Sequence, residues 1–118
     1  MRKFSFVVAV LLLLSCRKSA VTAANSCPGT PGTLFLSVQT VILANCAVSG
    51  CHTNPDAQNN INFSDNCAII AQKTHIKLRA VDAAGTSSQM PPAPRSALTV
   101  TDRQKIVDWI NAGGRITD

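Results

Sequence analysis

The sequence predicts an all-α domain of about four helices, and three observations carry that expectation. Apolar residues recur at helical spacing between Leu34 and Asn45. A second apolar stripe begins after a capping signal near Thr101 and stops at Gly113-Gly114. Between them, two shorter helical candidates, from about Ser64 to Lys73 and from His75 to Val81, are set apart by Gly-, Pro- and Asn-rich stretches.

Ahead of this domain lies an export signal. Arg2 and Lys3 form a positive start, and residues 4–14 are apolar apart from Ser5. Eleven residues fall well short of the roughly 20 that a spanning helix needs, so the run reads as the apolar core of a signal peptide. Leu13-Leu14-Ser15-Cys16 resembles the lipobox of bacterial lipoproteins, which implies a signal peptide at 1–15 and acylation of Cys16. The alternative is an ordinary secretory signal cut near Ala23-Ala24. Two or more acyl chains anchor a protein firmly where one does not. Residues 17–33, rich in Ser, Ala, Thr, Gly and Pro, read as a flexible linker from the lipid. The domain then spans 34–118.

In the first helix Leu34, Val38, Val41 and Ile42 share one face, and Phe35, Leu36 and Leu43 widen it, so most of the helix is expected to be buried. Its β-branched residues leave a strand as a lesser alternative. Residues 46–62 should be irregular. Ser64 is the expected cap of the next helix, and the turn after His75 should bring Ile76 and Leu78 inward. Residues 82–97, with Pro91, Pro92 and Pro94, form a loop. In the last helix Thr101 and Gln104 match a capping box, while Thr99 with Asp102 offers the same pattern two residues earlier. Ile106, Val107, Trp109 and Ile110 make its apolar face.

The chemistry is concentrated in Cys46-Ala47-Val48-Ser49-Gly50-Cys51-His52. Covalent haem attachment uses two thiols, which add to the vinyl groups, and an adjacent histidine that binds the iron. The usual spacing places two residues between the cysteines; here four intervene. The vinyl positions are fixed, so the extra residues must loop out, and Ser49 and Gly50 are small enough to allow it. Without the signal peptide only three aromatics remain, Phe35, Phe63 and Trp109, and a buried macrocycle would supply apolar volume that the chain lacks.

Together with this motif, Val41-Ile42-Leu43, Met90-Pro91-Pro92, Leu98 and Trp109-Ile110-Asn111-Ala112-Gly113 resemble the small mono-haem cytochrome c domains of exported bacterial proteins, some of which have lengthened cysteine spacing. The resemblance covers about residues 34–114. It implies a cytochrome c-like fold around one covalent haem c, thioethers at Cys46 and Cys51, His52 as proximal ligand and Met90 as distal ligand. It also implies that the last helix packs on the first near the haem. Independently, Met90 is the one methionine left after signal removal, and it sits in a stiff proline loop. A methionine there also suits a gap-filling role. His75 is the one rival nitrogen; among Ile76, Lys77 and Leu78 it reads as a surface or half-buried residue.

Two other readings of the cysteine pair stay open: a short-loop disulfide, and a zinc site that would need a further ligand. With Cys16 acylated and Cys46 and Cys51 on haem, Cys27 and Cys67 can pair in an oxidising compartment. A Cys46–Cys51 disulfide would also close the count, so parity alone does not decide. The expected function is single-electron transfer rather than enzymatic catalysis. The protein would be a monomer on the envelope side of a bacterial membrane, held by acylated Cys16, with redox proteins as partners. The alternatives are a disulfide-stabilised lipoprotein without haem, and a haem sensor or peroxidase-like protein. Loss of Arg2 and Lys3 brings the formal charge from +5 to about +3, too little to indicate nucleic acid.

Overall fold

The computed structural model describes residues 27–118, so the expected signal peptide, Cys16 and the start of the expected linker lie outside the described residues. Among those described, the regular structure is entirely helical. Helix α1 is Thr33–Asn45, α2 is Asn66–Ala71 and α3 is Lys73–Ile76, which runs on into a π-helical turn, Lys77–Asp82; α4 is Val100–Ala112.

Helices α1 and α4 form the central pair. Phe35 and Trp109 are fully buried, with ring centroids 5.9 Å apart and planes tilted by 59°. Val38, Ile42, Ile69 and Ile106 complete the solvent-free centre. Each such side chain contributes roughly 1.5–3 kcal/mol relative to exposure. The indole Nε1 of Trp109 donates to the Arg115 carbonyl at 2.8 Å, so its one polar atom is satisfied.

The buried stripe of α1 is narrower than expected. Phe35, Val38, Val41 and Ile42 face inward, while Leu36 and Leu43 remain 46% and 43% exposed. At about 100° per residue, each of these leucines is turned a quarter-circle or more from the buried neighbour before it. Leu78 also departs from expectation, at 52% exposed. Ala80, one turn beyond the buried Ile76, takes the inward position instead.

The cap of α2 shifts by a residue, and that of α4 falls at the earlier of the two registers the sequence offers. Asp65, not Ser64, caps α2, its Oδ1 accepting from the Cys67 N–H at 2.8 Å. Ser64 pairs its hydroxyl with that of Thr53 instead. Thr99, not Thr101, caps α4, its hydroxyl accepting from the Asp102 N–H at 3.1 Å and lying 2.9 Å from the Asp102 carboxylate. This register puts a carboxylate in the first turn, where the helix dipole favours it. Gly113, at φ 132°, ends α4 as expected.

Helix α1 has no side-chain cap, and the C-terminal tail does that work. The Phe35 N–H donates to the Asp118 carbonyl at 3.0 Å and the Gly32 N–H to the Ile116 carbonyl at 2.8 Å. Lys73 closes the far end of α4 by donating to the Gly113 carbonyl at 2.9 Å. Cys27 and Cys67 form a disulfide with Cα atoms 5.4 Å apart, which fastens the chain ahead of α1 to α2.

Candidate functional site

The loop after α1 bends back on itself. The Cys51 N–H donates to the Val48 carbonyl at 3.0 Å, which folds the extra residues between the cysteines into a turn. Gly50, at φ 76°, sits in that turn with open space where a side chain would project. The His52 N–H then reaches the Cys46 carbonyl at 3.0 Å. The lengthened motif therefore loops outward and returns His52 to the end of α1.

His52 is held from the other side as well. Its carbonyl accepts from the Phe63 N–H at 2.8 Å, and its ring lies 5.0 Å from the Phe63 ring, centroid to centroid. The Nδ1 atom is buried and has no hydrogen-bond partner. A buried polar atom left in this state costs about 1–3 kcal/mol, so the ring is suited to a partner the protein does not itself provide.

Two adjoining clefts open here, of about 400 and 330 Å³. Both are lined by Cys46, His52, Asn59 and Met90. The larger adds an apolar wall of Ile61, Phe63, Ile76, Leu78 and Ala80, with Gln72, His75 and Arg79 beside it. The smaller adds Cys51, Gly50, Pro91, Pro92 and Arg95. No carboxylate lines either cleft. Met90 is held by its N–H, which donates to the Arg79 carbonyl at 2.9 Å.

Cys46 and Cys51 are both free thiols. Burial pushes the Cys46 thiol up to about 11; Arg95 opposes that shift, and Cys51 adds slightly to it. At neutral pH Cys46 is thus a neutral S–H in an apolar setting. Among the described residues, no three His, Cys, Asp or Glu side chains gather as a metal-binding group.

The expected site residues therefore divide clearly. Cys46, Cys51, His52 and Met90 come together around the same pair of clefts. Cys27 and Cys67 pair elsewhere, and Cys16 lies outside the described residues. His75 is exposed, in keeping with its expected surface position, yet it also lines the larger cleft. Trp109 serves the α1–α4 core and lines neither cleft. Sequence reasoning gave no cleft role to Asn59, Ile61, Phe63, Arg79 or Arg95. Irregular segments have no periodicity to mark an inward face, though Phe63, one of few aromatics, was the most conspicuous of them.

Comparison with protein-family models, curated proteins and solved structures finds no match for this chain. The functional reading rests on the residues and their arrangement.

Proposed function

We propose that this protein is a single-electron carrier of the cytochrome c type, with one haem c covalently attached through Cys46 and Cys51 and tethered to a membrane by an acylated Cys16. The observation that carries this reading is convergence. Cys46 at the end of α1, His52 in the following loop and Met90 in the proline loop line the same two largely apolar clefts. The residues present fit the group: two free thiols, a half-buried imidazole whose Nδ1 is buried and unpartnered, a thioether and an apolar wall.

The haem would supply an iron that cycles between two oxidation states. His52 would ligate it through an imidazole whose ring packs against Phe63. Met90 would ligate it through its thioether, a soft donor that favours ferrous iron and so raises the potential. Ile61, Phe63, Ile76 and Ala80 would exclude water. With both residues bound, the iron would have no open position for oxygen or peroxide, which supports electron transfer over oxygen chemistry.

The test is expression with a c-type maturation system. Haem colour should survive denaturing electrophoresis, and the oxidised protein should show the methionine-to-iron charge-transfer band, lost in Met90→Ala. Cys51→Ala should weaken attachment, and His52→Ala should abolish native ligation. Loss of colour from the wild type on denaturation would refute covalent attachment. A wild-type iron that is high-spin and binds carbon monoxide readily would favour the sensor or peroxidase alternative.

A further inference from the structure

The larger cleft holds a second imidazole. His75, on α3, lines it together with His52 and Met90. Its Nδ1 lies 2.9 Å from Oε1 of Gln72, one turn earlier on the same stretch of chain. An amide oxygen only accepts, so Nδ1 is the donor in this contact, and in the neutral ring Nε2 keeps its lone pair. That is the state of a ligating histidine, whose other nitrogen is held by an acceptor that fixes the tautomer and raises its basicity.

Met90 and His75 are referenced to one segment. The Met90 N–H is bound to the carbonyl of Arg79, which lies one turn beyond His75. The supports differ in kind. His75 is carried on a helix, whereas Met90 belongs to the irregular stretch between the π-helical turn and α4. Segments with few internal backbone bonds open more readily than helices, so the methionine is the donor that can leave.

We infer that His75 is a reserve iron ligand, which binds through Nε2 when Met90 is displaced or removed. This rests on the haem reading above. The exchange breaks one Fe–S bond and forms one Fe–N bond; in the neutral ring Nε2 has a free lone pair, so no electron moves and no proton has to leave. Because imidazole favours ferric iron relative to a thioether, the exchange lowers the potential. The cleft would then set its potential by which of two donors is bound.

The experiment compares three haem-loaded variants, Met90→Ala, His75→Ala and the double variant, by optical and magnetic spectroscopy and by redox titration. The expected result is that Met90→Ala stays low-spin and six-coordinate, without the methionine band and at a lower potential. The double variant should become high-spin. His75→Ala alone should keep the wild-type spectrum, which shows that the exposed position tolerates the change. A high-spin Met90→Ala protein would overturn the inference, as would a double variant that remains low-spin. Absence of covalent haem in the wild type would instead overturn the haem reading, so the two failures are distinguishable.

Discussion

Cys46 illustrates how one position sets its own chemistry. It closes α1, is 8% exposed, and its thiol titrates near 11 because burial disfavours the thiolate. Reactivity toward alkylating reagents follows the thiolate fraction. In the haem-free protein at pH 8, Cys46 should react on the order of a hundredfold more slowly than an ordinary thiol of pKa about 8.5. Its rate should rise about tenfold per pH unit until pH approaches 11. The same shift bears on stability. The folded state holds the proton more tightly, so the contribution is full below the ordinary thiol range. It is lost as pH rises from about 9 toward 11. Mass spectrometry of timed iodoacetamide labelling measures the rate, and equal labelling of Cys46 in folded and unfolded protein would contradict its burial.

At the scale of elements, the caps give sharp expectations. Thr99→Ala should destabilise the protein by about 1 kcal/mol in urea unfolding. Thr101→Ala and Ser64→Ala should stay within about 0.5 kcal/mol, because neither side chain caps a helix. A hydrogen bond from Lys105, then one from Thr99, holds the Asp102 carboxyl below its ordinary 3.8. That contribution is present above the ordinary carboxylate range and lost as pH falls through the lower folded value. Thr99→Ala should therefore reduce the acid-induced loss of stability as well as the plateau. Comparable sensitivity at Thr101 would restore the later cap. The sequence offered both registers because Thr99, Thr101, Asp102 and Gln104 satisfy two overlapping patterns. Choosing between them depends on where the extended chain leaves the buried Leu98.

At the scale of the whole molecule, the Cys27–Cys67 bridge spans 40 residues of sequence. On the chain-entropy model, closing such a loop contributes about 4 kcal/mol, and Cys27→Ser with Cys67→Ser should lose a large part of it in thermal or denaturant unfolding. Peptide mapping without reductant should recover the joined peptides; free alkylation of both cysteines in native protein would rule the bridge out. The proposed anchoring is tested on the full chain. Cys16→Ser should abolish acylation and leave the protein uncleaved or released, and an unmodified mature terminus near Asn25 would refute the lipid tether. No helix among the described residues is long and apolar enough to cross a membrane.

The sequence by itself determined the helical class, the span of α1 and the glycine stop of α4, each of which depends on local periodicity or backbone conformation. The cysteine count left the pairing open, and the structure decided it by joining Cys27 to Cys67 and leaving Cys46 and Cys51 free. The chemical candidates were legible for a different reason: Cys46, Cys51 and His52 fall in one short motif, and Met90 is one of only two methionines in the chain. Only the tertiary structure decided which apolar residues are buried. Leu36, Leu43 and Leu78 are as hydrophobic as their buried neighbours, and the difference lies in which helix face another element covers. It also decided that His75 joins His52 and Met90 at one cleft. These three side chains come from segments with no shared periodicity, and their proximity follows from how α1, α3 and the proline loop pack together.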